Sequence, residues 1–235
     1  MWSNGHWAAW RRAWLCGLWL WAGGWQTSAK AETSTAFGGA LLRGGEVILA
    51  GGVGFPEAFF HFDFANSSQF NLAFQARVNY NLGLPFFGGF GFVSIPMRIG
   101  IVQDPKFSFA LKLDPGGFLG GSGNILPFLA GVQLGIGALF TLHIVERFNL
   151  NFGVELPMLL SFDVENRSRV VGFHLPIELL IGGEVEINER LSLFANVSGG
   201  PYLYVGNLAR RLTFGFGDVV VSGSFRFLVG VIWRR

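Results

Sequence analysis

The chain has 235 residues, 51% of them hydrophobic and only 14% charged, with a formal net charge of +2. Soluble domains carry about 25% charged residues, so an ordinary water-facing surface is excluded, and the hydrophobicity excludes disorder. The 35 Gly and 26 Phe point to strands, tight turns and a greasy exterior rather than to a coiled coil.

Seven of the eight Trp lie between Trp2 and Trp25. Arg11-Arg12 supplies positive charge, Ala13 to Trp25 runs apolar, and Ser28-Ala29-Lys30-Ala31 follows. This is the order of a secretory signal, predicted to span 1–31 and to be cleaved after Ala31. An uncleaved N-terminal anchor is the alternative. Arg11-Arg12 loosely matches a twin-arginine signal. Cys16 lacks the small residues expected before a lipidated cysteine. Removing Arg11, Arg12 and Lys30 from the 17 basic residues leaves 14 against 15 acidic, a net charge of −1, and no cysteine. That excludes a disulfide framework and takes away the electrostatic argument for nucleic acid as a partner.

Residues 32–45 are expected as a periplasmic N-terminal segment, and 46–235 as one barrel domain. The first two strands are placed at 46–54 and 57–64. From Phe70 to Leu82 the alternation is unbroken: Phe70, Leu72, Phe74, Ala76, Val78, Tyr80 and Leu82 oppose Asn71, Ala73, Gln75, Arg77, Asn79 and Asn81. Period two over such a length is a strand with two unlike faces, and a tilted membrane-crossing strand needs ~9–11 residues. The pattern returns at 90–103, 107–118, 126–143, 148–160, 169–187, 191–205 and 217–233. One face is large and apolar, the other small or polar. Ser67-Ser68-Gln69, Asp104-Pro105-Lys106, Glu146-Arg147 and Glu189-Arg190 each precede a fresh strand and read as turns on one side of the barrel. The count is ten, or eight without the first two, and an even count suits a bacterial transmembrane barrel. Ile125 to Val145 is long and apolar enough for a membrane helix, with Gly131 and Gly135 in a GxxxG pattern. Its alternation of Val132, Leu134 and Ile136 with Gly131, Gln133 and Gly135 favours a strand. Pro96, Pro157 and Pro176 fall inside strands, which Pro avoids, and are expected to mark bulges or strand limits. Tyr80, Tyr202, Tyr204 and Trp233 are placed near strand ends, in the headgroup zone.

Alternation alone does not say which face looks inward. Here the polar faces are mostly Gly, Ser, Asn and Ala, too poor in charge to wet an exterior. The expected fold is therefore all-β: a closed antiparallel transmembrane β-barrel behind a cleaved signal peptide, since spanning strands must satisfy every backbone group by closure. On these residues the chain resembles the small outer-membrane β-barrel proteins of Gram-negative bacteria. The resemblance implies an outer-membrane address, contact with outer-membrane lipids, and delivery by periplasmic chaperones to the barrel-assembly machinery. It implies that Phe225, Phe227, Val229, Val231 and Trp233 form the final-strand assembly signal. The chain departs from the pattern by continuing past Trp233 with Arg234-Arg235.

The inward phase places Arg77, Arg98, Lys112, Glu155, His174, Glu178, Glu184 and Arg226 as lumen-lining candidates. Paired, they plug the barrel, since a lone buried charge is costly. Unpaired, they line a narrow polar path for a small solute. His174 and Glu178 lie near Ser192 and Ser198 of the next strand, but no nucleophile motif is present and no catalytic residue is assigned. His61, His143 and His174 are scattered, so no metal site is expected. Gly120-Gly121-Ser122-Gly123 reads as a loop rather than a phosphate cradle, so no cofactor is expected. The functional expectation is an outer-membrane barrel with a structural or narrow-channel role. A membrane-embedded lipid-modifying enzyme and a soluble secreted lipocalin-like barrel are the alternatives. Oligomeric state is not legible.

Overall fold

A computed structural model describes residues 34–67, 69–80, 89–122, 126–164, 169–206 and 219–235; the expected signal, 1–31, lies outside them. Twelve strands follow in order: β1 (Val47–Phe55), β2 (Glu57–Ser67), β3 (Phe70–Asn79), β4 (Gly89–Ser94), β5 (Met97–Gln103), β6 (Phe107–Ser122), β7 (Leu126–Val145), β8 (Phe148–Asp163), β9 (Arg169–Pro176), β10 (Glu178–Asn188), β11 (Leu191–Gly206) and β12 (Val219–Arg234). Every pairing is antiparallel, and β12 pairs with β1, so the sheet closes. β4 with β5, and β9 with β10, are single staves interrupted at a proline, which makes ten staves. In the apolar run, the described residues Leu126–Val145 form a strand, β7.

The register gives the barrel its dimensions. From Leu142 on β7 the paired residues run through Leu150, Gly183, Ala195, Val229 and Val53. They continue through Ala58, Val78, Gly91 and Leu119 and return to β7 at Ala130. The circuit of ten staves comes back twelve residues along its own strand. With ordinary strand spacings, that stagger sets a tilt of about 42° and a backbone diameter of about 19 Å. Such a bore is narrow enough for side chains to fill.

The prolines sit where the ladder gives way. Pro96 lies between β4 and β5, with its carbonyl accepting from Ala73 N–H. Pro176 ends β9. Pro157 stays in register with Gly135 of β7. On its other edge, however, β8 pairs with β10 only up to Glu155 and with β9 only from Leu159. Pro157 and Pro176, neither able to donate, thus face the same gap. The turns at 104–106, 146–147 and 189–190 sit at the end that holds Glu46 and Arg235, called proximal here.

The large apolar face points outward. Phe60, Phe74, Val132, Leu134, Leu193 and Val231 are among the many large hydrophobics left exposed. Phe109, Phe140 and Phe152 stack across three staves at centroid distances of 4.7 and 5.1 Å. A continuous apolar belt of this kind is not a water surface; it matches the lipid-facing band of a membrane barrel. Leu113, at mid-strand and 39% exposed, tests this. Leu113→Arg should destabilise the barrel in lipid vesicles by roughly 2–4 kcal/mol, read as a lower urea midpoint. A change near zero would mean that this face does not meet lipid.

Tyr202 and Tyr204 depart from expectation. Both turn inward: Tyr204 is 4% exposed, its ring 4.7 Å from that of His174, and the Tyr202 hydroxyl bonds the same imidazole. On β11 they share the phase of Ser192 and Ser198, which the length of the strand carries through Gly199-Gly200-Pro201 without a flip. Tyr80 instead reaches sideways to the Gly54 carbonyl, and Trp233 stays on the outer face.

Candidate functional site

The lumen is occupied in layers. At mid-height lies a network of charged side chains from six staves. Arg226 on β12 donates to Glu57 of β2 (3.2 Å), to Glu178 of β10 (2.7 Å) and to the Ser198 hydroxyl of β11 (3.0 Å). Lys112 on β6 donates to Glu155 of β8 (3.0 Å) and lies 3.5 Å from Asp114. Arg77 on β3 donates to Gln133 of β7 (3.0 Å), which in turn donates to Asp114 (3.3 Å). The Arg77 guanidinium also lies over the Phe92 ring, at 5.0 Å. Each cation touches more than one acceptor, which is what lets charge persist out of water.

A second layer fills the proximal mouth. The segment 32–45, expected as a periplasmic lead-in, places its described residues Ser34–Leu42 inside the barrel. They form a short hairpin. Thr35 N–H donates to Ala40 O (3.2 Å), and Gly38 N–H donates to the Thr35 hydroxyl (3.1 Å). Phe37 sits at its tip, 4.8 Å from the Phe194 ring and 5.4 Å from that of Phe59. Leu42 joins an apolar cluster with Ile48, Ala50, Phe59, Phe194 and Ile232.

The wall reads the hairpin through its main chain. Glu184 accepts from Ala36 N–H (3.1 Å) and Phe37 N–H (3.3 Å). Thr141 accepts from Gly39 N–H (2.9 Å) and Ala40 N–H (3.2 Å), and donates to Asn151 (2.8 Å). Gln103 accepts from Leu41 N–H (3.0 Å) and donates to Gly39 O (2.9 Å). Arg98, paired with Asp63, donates to Thr35 O (2.9 Å) and Gly38 O (3.0 Å). Arg234 donates to Ser34 O (3.0 Å) and to Ser192, and lies 3.6 Å from Glu184. The residue past the final aromatic thus turns into the lumen and ties the C-terminal strand to the N-terminal hairpin.

Between the two layers lies a cavity of about 60 Å³, bounded by Phe37, His61, Arg77, Arg98, Lys112, Glu155 and Arg226 among others. It has room for about four water molecules. His61 is 4% exposed, and its Nε2 is 3.7 Å from Asp63, too far for a hydrogen bond.

The expected lumen residues divide among these layers. Arg77, Lys112, Glu155, Glu178 and Arg226 meet in the charged network, Arg98 and Glu184 hold the hairpin, and His174 stands apart. Its ring bonds Tyr202 on one side and Ser161 of β8 on the other (3.1 Å). Glu178, expected on the same inward face as His174, is taken by Arg226 and Ser198. Among the described residues no group of three or more His, Cys, Asp or Glu side chains converges as a metal site would. The sequence reading did not single out Glu57, Asp63, Asp114, Gln133, Thr141, Asn151, Ser161 and Arg234 as candidates, although Asp114 and Asn151 fall on the polar phase of their strands. Phase counted along β2 and β12 would have placed Glu57, Asp63 and Arg234 inside; nothing in the sequence marks which neutral residues receive the hairpin.

Closure, stagger, outward hydrocarbon and a charged interior define a closed ten-stave antiparallel β-barrel of the transmembrane type. Among solved structures the chain is similar to the NanC porin in its rhombohedral crystal form, at a TM-score of 0.34 and 13% identity, covering 80% of this chain and 98% of that one. No protein-family model and no curated protein matches the sequence.

Proposed function

We propose that this chain is exported by its N-terminal signal and resides in the bacterial outer membrane as a barrel that is closed at rest and offers at most a narrow polar path. The observation that carries this reading is the filled lumen. A hairpin caps one end, paired charges cross the middle, and the space left between them is water-sized. The outward belt of Phe, Val, Leu and Ile supports the membrane address, and the staggered closure supports assembly by the machinery that recognises Phe225, Phe227, Val229, Val231 and Trp233. Both signs of charge alternate in the network, so a solute passing it would exchange one ion pair for another.

Planar-bilayer recording tests the reading. The wild type should show no steady open level, and Lys112→Ala with Glu155→Ala should show openings, because the pair leaves together and its volume empties. A wild type with a large, steady conductance equal to that of the double variant would contradict it.

A second reading rests on the contact between Ser161 and His174. A hydroxyl within hydrogen-bond reach of an imidazole, itself oriented by a phenol, is the geometry of an activated nucleophile. Against it, Ser161 has no solvent exposure and donates to Gly172 O (3.1 Å). Phospholipid hydrolysis that is lost in both Ser161→Ala and His174→Ala would favour it; no hydrolysis by the wild type would remove it.

A further inference from the structure

We propose that the proximal lumen is a docking site for tightly bent main chain, and that the protein's own hairpin, Ser34–Arg43, occupies it reversibly as a removable stopper. The proposal goes one step beyond the closed-at-rest reading by naming what does the closing and how it leaves.

Three observations carry it. The polar contacts are mostly of a receptor kind: Glu184, Thr141, Gln103, Arg98 and Arg234 bond the hairpin's N–H and C=O groups, while its side chains add the Thr35–Thr141 hydroxyl contact at 3.4 Å and the packing of Phe37 and Leu42. Main-chain recognition fits a glycine- and alanine-rich segment. At Gly39 a Cβ would stand 2.5 Å from Leu139 O and 2.7 Å from Ser108 O, both wall backbone. The hairpin adds no strand to the sheet, although Ala36 and Leu42 pack in one apolar cluster with Ile48, Phe59 and Phe194 of the wall. It is joined to the barrel through Gly44-Gly45, with Gly45 at φ +85° and no atom within 4 Å of a Cβ at either glycine. The bonds at that joint are Gly45 N–H to Ala65 O (3.5 Å), Glu46 N–H to Arg43 O (2.9 Å), Arg43 N–H to the Glu46 carboxylate (3.0 Å) and the Ser34 hydroxyl to the same carboxylate (2.7 Å), and swinging the hairpin out breaks those that span it. Finally, the wall closes without it: the ten-stave circuit runs from Val47 to Arg235, and none of its ladders uses a residue before Val47.

Docking exchanges water for wall partners at each main-chain group and buries Phe37 and Leu42, and the ordering of the segment opposes both. Withdrawing the hairpin exposes the cavity and the charged network to the proximal side, and leaves Glu184 still beside Arg234 and Arg98 beside Asp63.

The test uses the full mature chain, which has no native cysteine after residue 31. Thr35→Cys, at a position with no solvent exposure, reports undocking through its labelling rate with a polar maleimide in lipid vesicles. Ser161→Cys, equally buried but away from the hairpin, reports general opening. Undocking should label the thiol of Thr35→Cys slowly while that of Ser161→Cys stays protected. Adding Gly39→Val, which clashes with the wall, or Thr141→Val, which removes an acceptor of two N–H groups, should speed labelling of the hairpin thiol at least tenfold and leave the wall thiol unchanged. A peptide of residues 34–43 added to the protein with the native hairpin sequence around Thr35→Cys should compete for the site and speed labelling of the hairpin thiol with saturation. If the hairpin thiol stays unlabelled in all three backgrounds, or both thiols speed up together, the docking site is not a reversible one and the proposal falls. Recording currents from the same proteins separates the two readings. Faster labelling of the hairpin thiol with no current keeps the stopper and overturns the channel; current without any change in labelling does the reverse.

Discussion

An Arg226→Ala barrel is expected to lose about 3–5 kcal/mol of stability, the usual cost of stranding buried charge by removing its partner. Two carboxylates lose their nearest cation here, Glu57 at 3.2 Å and Glu178 at 2.7 Å, leaving Glu57 only Arg77 at 4.0 Å and Glu178 the Ser198 hydroxyl at 3.3 Å. They come from staves on either side of the seam where β12 meets β1, so the loss falls on the circuit itself and not on one hairpin. Urea titration in vesicles, followed by the gel shift between folded and heat-denatured forms, measures it. Replacing Glu57 and Glu178 by Gln in the same chain should recover much of the loss, because neutral amides can bond each other. An Arg226→Ala midpoint equal to wild type would show that the network is decoration on a barrel held by its ladders alone.

The second large effect is geometric. Gly230 on β12 faces Gly52 on β1 and Phe194 on β11. A Cβ there would run into Gly51 O and lie 2.6 Å from Gly52 Cα and 2.7 Å from the Phe194 ring. The two facing glycines are what let the Phe194 and Phe59 rings lie across the seam, where Phe37 packs on them. Gly230→Val should therefore block closure and abolish the folded, heat-modifiable form. Gly223→Val, seven residues along the same strand with its nearest neighbour 4.0 Å away, should fold as wild type. Folding of both variants alike would mean that the seam can widen.

How much of this was legible depended on what carried the signal. Strands β3, β6 and β8 announced themselves because hydrocarbon on one face and small polar groups on the other repeat with period two, and the turns recur before Phe107, Phe148 and Leu191. The closure and the inward placement of Arg77, Lys112, Glu155 and Arg226 follow from the same phase. β2 was harder to read because Phe59 points in while Phe60, Phe62 and Phe64 point out, so aromatics sit on both faces and hide Glu57 and Asp63. The hairpin was not legible at all. Ser34-Thr35-Ala36 and Gly38-Gly39 have no periodicity, and their partners are single side chains scattered over several staves, a tertiary match that no local pattern encodes. Tyr202 and Tyr204 misled for a related reason: nearness to a strand end suggested the headgroup zone, while phase along β11 pointed them inward.

The central claim is that the bulky face looks at acyl chains, and Trp233 tests it most directly, being the one tryptophan after residue 25. It lies on the outer face, 38% exposed, the last outward side chain of the wall before Arg234 reaches inward. With the mature protein reconstituted in vesicles, lipids brominated along their chains should quench its fluorescence strongly, and aqueous iodide should hardly touch it. Strong quenching by iodide with none by brominated chains would put that face in water and contradict the membrane barrel.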